Sequence, residues 1–210
     1  MVHKTFDNLP EEKRNRILAA ARSEFIRFSY EKSSINRILD QAGVPKGSFY
    51  QYFDNKSDLF CLCIMDVYQR LILEREKRGE LLLQSGLLRM KKLGFQKGYE
   101  LFSKDLTQIL SKEDFALFEN MLSAPRYIRS YVQTEAASSL IAPIFKKELM
   151  EDPHIRKDID YDYYAYLLAM SEVVPIDYGT REGRTIKEIM YLSFQYMMAI
   201  YSGLMIHVPV

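Results

Sequence analysis

The stretch that most constrains the fold is residues 33–53. Ser33 or Ser34 precedes apolar residues at helical spacing, and a serine hydroxyl there caps the free N–H groups of a helix's first turn. Gly43 ends that run, where glycine readily takes the left-handed conformation that closes many helices. Pro45 suits the first turn of a second helix, because its missing N–H is no loss there. These residues predict two short helices joined by a tight turn.

The second of these helices has the composition expected of a helix that lies in the major groove of DNA. Phe49 and Phe53 are expected to anchor it inward, and its other residues are mostly small, basic or hydrogen-bonding. An ordinary helical turn within a core is the alternative, but this segment is too short and too polar for packing alone. Gly47 and Ser48 would let the backbone approach a phosphate or a base edge closely.

The region resembles the DNA-binding region of the TetR family of bacterial transcriptional regulators, over about residues 10–60. Where the family usually has glycine, two threonines and serine, this chain has Ser29, Ser33, Ser34 and Pro45, and the proline would shift how the second helix meets DNA. The residues that carry the resemblance are Phe25, Ser29-Tyr30, Ser33-Ser34, Ala42-Gly43-Val44, Gly47, Phe49-Tyr50, Tyr52-Phe53 and Lys56.

Ten residues are predicted to contact DNA. Lys46 would reach a phosphate or a guanine edge, and Gln51 an adenine. The resemblance implies phosphate contacts for Tyr50, Tyr52 and Lys56. The ten are Ser33, Ser34, Arg37, Lys46, Gly47, Ser48, Tyr50, Gln51, Tyr52 and Lys56. For Ser34 simple capping is the alternative, and Arg37 can equally be a solvated surface residue.

Bulk charge does not explain DNA binding by this chain. The formal net charge is +1, and residues 1–60 contain ten Lys/Arg and eight Asp/Glu. Affinity must therefore come from a few well-placed cations and from presenting the site twice in a dimer.

The rest of the chain has helical periodicity without the alternation typical of strands. Pro175 is expected to kink or cut a helix, and residues 178–184 to form a polar loop. The sequence predicts an all-α fold, with an N-terminal three-helix helix-turn-helix DNA-binding domain in residues 1–58. A C-terminal helical ligand-binding and dimerisation domain would occupy residues 59–210. Its helices are predicted at 56–78, 86–110, 112–123, 125–151, 160–177 and 185–206.

The C-terminal domain is rich in aromatic and methionine side chains, which suit either a core or an adaptable apolar cavity. Taken singly, each is better explained as core. The family resemblance implies a small-molecule pocket. The candidate lining residues are Tyr68, Phe95, Tyr99, Phe102, Phe118, Met121, Tyr127, Tyr131, Tyr164 and Met170.

The last predicted helix is apolar on two sides. Residues 189–210 contain no Lys, Arg, Asp or Glu and are long enough to cross a bilayer, but their serine, glutamine, histidine and tyrosine content favours burial in protein. The resemblance implies that one side packs against a second subunit, and a central core helix is the alternative. The candidate interface residues are Leu167, Leu168, Phe194, Met197, Met198, Tyr201 and Met205.

Catalytic chemistry finds no support. The three histidines are far apart, Cys61 and Cys63 are the only cysteines, and the common nucleophile, phosphate-loop and zinc motifs are absent. We therefore expect no enzyme activity, no catalytic residue, no metal and no cofactor.

The expected function is a cytoplasmic, dimeric DNA-binding regulator without membrane contact. It would be a repressor that binds a palindromic double-stranded DNA operator and is released by a small apolar or aromatic ligand. The alternative is a DNA-binding adaptor or structural protein whose C-terminal domain binds a protein and no small molecule.

Overall fold

The computed structural model of the chain describes residues 2–78 and 92–205. Regular structure within these ranges is helical, which confirms the predicted all-α fold. The helices are α1 (Lys4–Asp7), α2 (Glu11–Arg27), α3 (Ile35–Ala42), α4 (Phe49–Tyr52), α5 (Lys56–Lys77), α6 (Phe95–Ile109), α7 (Lys112–Ser123), α8 (Arg126–Ala136), α9 (Ala142–Glu151), α10 (Tyr161–Ala169), α11 (Val173–Arg181) and α12 (Ile186–Gly203). Short 3₁₀ turns span Lys46–Ser48 and Met170–Glu172, and a π-helical turn at Ala137–Ile141 joins α8 to α9.

The helix predicted at 160–177 is interrupted, as expected from Pro175. The break is the 3₁₀ turn Met170–Glu172, which contains Ser171, the residue whose carbonyl a helical N–H at position 175 would bind and which the proline ring crowds. Since α11 continues to Arg181, the loop predicted at 178–184 is shorter than expected. The predicted start at residue 86 and the predicted end at residue 206 lie outside the described residues.

By packing, the chain divides into two compact units. The first unit is Met1–Val67 with Ser111–Val132, and the second is Tyr68–Leu110 with Gln133–Val210. These units are defined by contacts rather than by function. The functional division between residues 58 and 59 therefore stays a prediction.

The first unit joins the predicted DNA-binding region to α7, which lies much later in the chain. Asp114 in the first turn of α7 is fully buried and accepts a hydrogen bond of 2.7 Å from the Arg22 guanidinium of α2. The same carboxylate forms a capping box with Ser111, whose N–H lies 2.9 Å from Oδ2. Further along α7, the Asn120 amide donates to the Phe25 carbonyl in the last turn of α2. These contacts hold α7 against α2.

The second unit has a core of apolar side chains from α9, α10 and α12, including Phe145, Leu168 and Phe194. Helices α11 and α12 approach closely at Gly179, where an added Cβ would lie 2.5 Å from the Ile189 side chain. Within residues 2–78 and 92–205, none of the helices has the length and apolar character that a membrane crossing requires.

The end of α12 is joined to the segment that follows α9. The buried hydroxyl of Tyr201 donates a hydrogen bond to the Asp152 carboxylate, which also accepts the His154 N–H at 2.9 Å. The Arg156 N–H donates to the Leu204 carbonyl at 3.1 Å. Asp152 therefore connects two parts of the second unit.

Candidate nucleic-acid interface

The first helix of the predicted two-helix motif, α3, has the capping residues that its sequence predicts. Of the two candidate serines, Ser34 is the N-cap, and its hydroxyl accepts the Arg37 N–H at 3.4 Å. Gly43 takes the left-handed conformation at φ 66° and ψ 37°. The Val44 N–H then donates to the Leu39 carbonyl at 3.0 Å, which satisfies a carbonyl of the last turn.

The second helix begins one position later than predicted. Pro45 has φ −58° and ψ 137°, so it is the extended residue before the helix rather than part of its first turn. The Ser48 N–H donates to the Pro45 carbonyl at 2.9 Å and opens the 3₁₀ turn that leads into α4. We call residues 46–52, the 3₁₀ turn together with α4, the recognition helix.

The inward face of the recognition helix is aromatic. Phe49 and Tyr52 are buried beside Phe53, and the Phe49 and Phe53 ring centroids are 5.4 Å apart. The Tyr52 hydroxyl accepts a hydrogen bond of 3.2 Å from the Lys13 ammonium group of α2. The structure therefore places Tyr52, a predicted phosphate contact, on the side that packs against the domain.

The outward face of the recognition helix is polar and exposed. Tyr50 has 69% of its surface exposed, and Lys46, Gly47 and Gln51 are exposed as well, with Ser48 half-buried. A Cβ added at Gly47 would meet no protein atom within 4 Å. The chain's own packing therefore does not require glycine at position 47. Close approach of the predicted DNA partner to this backbone would require a residue without a side chain.

Lys56, at the start of α5, has a structural role within the domain. Its ammonium group donates to the carbonyls of Tyr30 at 2.6 Å and Ser33 at 3.1 Å, and lies 4.5 Å from the Tyr30 ring. Burial lowers the pKa of Lys56 from its usual value, although nearby carboxylates oppose that shift. Its hydrogen bonds hold the α2–α3 connection against α5.

Ser33 and Arg37 are also tied to their own domain. The buried Ser33 hydroxyl donates to the Tyr30 carbonyl at 2.6 Å. Arg37 binds the Glu24 carboxylate of α2 from Nε at 2.9 Å, and this hydrogen bond raises the pKa of Arg37. Glu24 also accepts the Ser34 N–H at 2.8 Å.

Sequence reasoning missed Glu24. The sequence shows only that Glu24 is an acidic residue next to Phe25, on the face of α2 that becomes buried. Its two partners lie ten or more residues away in the chain, so no local pattern identifies them. Glu24 orients the start of α3.

A groove of about 420 Å³ lies between the start of α3 and the recognition helix. Five predicted DNA contacts share it, together with the exposed amide of Asn36, which sequence reasoning did not select. The lining residues are Ser33, Ser34, Ile35, Asn36, Leu39, Lys46, Phe49, Tyr50 and Lys56. The groove thus continues the polar outward face of the recognition helix.

The predicted ligand-pocket residues are distributed over both units. Phe118, Met121, Tyr127 and Tyr131 belong to the first unit, where the Tyr131 hydroxyl donates to Asp58 at 3.3 Å. Tyr68 is buried in the second unit. Five others pack, partly buried, against the core of the second unit: Phe95, Tyr99, Phe102, Tyr164 and Met170. The structure therefore brings half of the predicted set together.

Most of the predicted dimer-interface residues are buried in the core of their own unit. These are Leu168, Phe194, Met197, Met198 and Tyr201, while Leu167 and Met205 are half-buried. Larger exposed side chains on α11 and α12 are Val174, Tyr178 and Tyr196. Because α12 is apolar on two sides, its periodicity alone does not show which side faces its own core.

Comparisons with known proteins agree with this geometry. Residues 17–61 match the model of the family described as bacterial regulatory proteins, tetR family. The chain is 36% identical over 76 residues to an uncharacterized HTH-type transcriptional regulator, YdgC, of Bacillus subtilis (strain 168). That alignment covers 36% of this chain and 37% of the relative. A second relative, an uncharacterized HTH-type transcriptional regulator in the lacX 3' region of Lactococcus lactis subsp. lactis, is 36% identical over 58 residues, which are 28% of this chain and 29% of that protein.

Solved structures are similar over a greater length. A TetR family transcriptional regulator from Chloroflexus aurantiacus J-10-FL is 22% identical, with coverage of 99% of this chain and 100% of that chain and a TM-score of 0.45. NalD of Pseudomonas aeruginosa, described as the secondary repressor of the MexAB-OprM multidrug efflux pump, is 16% identical, with coverage of 94% and 99% and a TM-score of 0.49. The helix-turn-helix geometry agrees with the match of residues 17–61 to the family described as bacterial regulatory proteins, tetR family, and that match covers this part of the chain only.

Proposed function

We propose that the chain is a homodimeric, sequence-specific DNA-binding repressor that a small apolar or aromatic ligand releases from its operator. The observation that carries the DNA-binding part is the exposed outward face of the recognition helix. There Lys46 and Tyr50 line a groove together with Ser34 and Asn36, and Gln51, next to Tyr50, is exposed. A short helix that presents polar side chains over an apolar underside is suited to insertion in the major groove.

The exposed side chains divide into base contacts and backbone contacts. The Gln51 amide can pair with an adenine edge, and Lys46 can bind a guanine edge or a phosphate. Tyr50, Ser34 and Asn36 are placed to donate to phosphate oxygens along the groove. Four other predicted contacts affect DNA binding only indirectly, because their polar groups form hydrogen bonds within the domain: Ser33, Arg37, Tyr52 and Lys56. Of the ten residues predicted to contact DNA, this division assigns four to direct contacts and four to a structural role.

A homodimer would present two recognition helices to the two halves of a palindromic site, about one helical turn apart. We place the subunit contact on the exposed residues of α11 and α12, among them Val174, Tyr178 and Tyr196. In functional terms, residues 1–58 would bind DNA and residues 59–210 would bind the ligand and the second subunit.

The ligand would bind near the partly buried aromatic side chains of the second unit. Phe95, Tyr99 and Phe102 have ring centroids between 4.9 and 5.7 Å from that of Phe194. Such rings suit an apolar or aromatic molecule. To release DNA, the ligand must bind the conformation that does not fit the operator more tightly than the one that does.

Selection of binding sites from random duplex DNA tests this function. The full chain should enrich one palindromic sequence, and a Gln51→Ala variant should lose discrimination at one position of each half-site. Addition of an extract of small molecules should lower the recovery of that sequence. Failure to enrich any sequence at low salt would contradict specific DNA binding. If the extract leaves the recovery unchanged, release by a small apolar or aromatic ligand would be contradicted, while DNA binding would stand.

A further inference from the structure

We infer that residues 2–8, the N-terminal arm, are a positioning element that caps and orients the recognition helix. The arm includes α1 and precedes the residues that match the family model. The inference rests on the proposed function, since it assigns the arm a contribution to operator affinity. Its structural basis is a set of contacts with residues 51–54.

The arm supplies hydrogen-bond donors to the end of the recognition helix. The last carbonyls of a helix have no helical partner, and a helix this short is not stable by itself. The His3 N–H donates to the Tyr52 carbonyl at 2.9 Å, and the Thr5 hydroxyl donates to the Gln51 carbonyl. The His3 imidazole lies between the Gln51 carbonyl, 3.2 Å from Nδ1, and the Asp54 carboxylate, 2.7 Å from Nε2. Two carbonyls at the C-terminal end are satisfied in this way.

The arm also packs beneath the recognition helix. Phe6 is 1% exposed, and its ring centroid lies 4.8 Å from that of Phe53 and 6.2 Å from that of Tyr52. Val2 pairs with Phe53 in an isolated antiparallel bridge. The arm is itself folded, because the Phe6 N–H donates to the His3 carbonyl at 2.8 Å. Phe6 therefore joins the aromatic side chains on which the recognition helix rests.

These contacts hold the side of the helix that faces away from the proposed DNA surface. Tyr50 and Gln51 face outward, while the arm binds the Gln51 carbonyl and the rings of Tyr52 and Phe53. The arm therefore affects DNA binding without touching DNA. It keeps the helix ordered before binding, so that less conformational freedom is lost when the complex forms.

Three variants of the full chain test this role. Phe6→Ala removes the aromatic contact, Phe6→Leu keeps an apolar side chain there, and Lys4→Ala removes an exposed cation of the same arm. We measure affinity for the selected duplex at several salt concentrations, and hydrogen exchange of a peptide that covers residues 49–54. Phe6→Ala should weaken binding about tenfold and speed exchange, with an unchanged salt slope. Phe6→Leu should restore most of the affinity and most of the protection from exchange. Lys4→Ala should match the wild type in both measurements.

Unchanged affinity and exchange in Phe6→Ala would overturn the inference. A smaller salt slope in Lys4→Ala would also overturn it, because it would show that the arm binds phosphates directly. Hydrogen exchange needs no DNA, so it tests the arm even if the wild-type chain binds no duplex and the proposed function fails. If Phe6→Ala does not fold, Thr5→Val removes one donor with little change in volume and should still speed exchange at residues 49–54.

Discussion

Lys46 and Lys56 have the same charge but different surroundings. The Lys46 side chain is exposed at the groove, with the Asp40 carboxylate 3.8 Å from its ammonium group. Lys56 is held by the Tyr30 and Ser33 carbonyls. Proximity to the proposed DNA surface is therefore a poor guide to which lysine binds a phosphate, and the internal hydrogen bonds are a better one.

Substitution of each lysine by alanine should separate these roles. Lys46→Ala should weaken binding to all duplexes alike and reduce the slope of log affinity against log salt by about one, without a change in thermal stability. Lys56→Ala should lower the free energy of unfolding by about 1–3 kcal/mol, because the Ser33 carbonyl loses this donor and the Tyr30 carbonyl keeps only the hydrogen bond from the Ser33 hydroxyl. Fluorescence anisotropy and urea unfolding measure the two effects. A Lys56→Ala protein of normal stability with a reduced salt slope would return Lys56 to the DNA contacts.

Asp152 makes the stability of the second unit sensitive to acid. Burial opposes its ionisation, but hydrogen bonds from the Tyr201 hydroxyl and the His154 N–H outweigh burial and lower the pKa of Asp152. A carboxylate with a lowered folded-state pKa stabilises the protein above its unfolded-state pKa of about 3.9, and that stabilisation is lost as pH falls through the folded-state value.

Tyr201→Phe should therefore destabilise the chain at neutral pH by about 1.5–3 kcal/mol, since a hydrogen bond to a buried carboxylate is lost. The difference from wild type should shrink as the pH falls below about 4. Urea unfolding between pH 7 and pH 3 measures it. Tyr163→Phe, on an exposed side chain of α10 in the same unit, is the control and should behave as wild type throughout. A constant difference across this range would show that Asp152 is not the acceptor that matters.

At the scale of helices, α7 packs with elements that lie far from it in the chain. It follows α6 in sequence, but it packs with α2 in the first unit through the Arg22–Asp114 pair and Asn120. Arg22 also pairs with the Asp66 carboxylate at 3.1 Å, so removal of Asp114 leaves the guanidinium with one carboxylate partner in place of two.

Asp114→Ala should lower the free energy of unfolding of the first unit by about 2 kcal/mol, because Arg22 keeps only its pair with Asp66 and α7 loses its capping box. Glu113→Ala, an exposed acid in the same helical turn, is the matched control and should change stability by less than about 0.5 kcal/mol. Urea unfolding followed by helical circular dichroism measures both. Equal stability of the two variants would mean that the ion pair does not hold α7 to α2.

Sequence patterns predicted what local chemistry decides. The Gly43 stop and the bounds of α7 follow from neighbouring residues and agree with the structure, as does a serine cap on α3, which the sequence left open between Ser33 and Ser34. The docking of α7 on α2 and the role of Glu24 depend on partners distant in sequence, which periodicity does not report. The same limit applies to α12. Its two apolar sides were visible, but the side that its own core covers was not.

For the whole molecule, the small net charge makes the number of subunits important. At a formal net charge of +1, one copy has little general attraction for DNA. Two linked recognition helices bind as a pair, because the second contact forms at a high effective concentration. Operator affinity should therefore depend strongly on dimerisation.

Light scattering at micromolar concentration should give a mass of twice the 24.7 kDa chain. Tyr196→Glu should yield a folded monomer, because it puts a charge on an exposed aromatic position of α12 where we place the subunit contact. This monomer should lose affinity for the palindrome but bind a single half-site as weakly as wild type does. Phe194→Ala is the contrasting variant: its side chain is buried in its own unit, so it should lower stability by about 3–5 kcal/mol. A wild-type monomer, or a Tyr196→Glu dimer that binds the palindrome normally, would contradict the proposed interface.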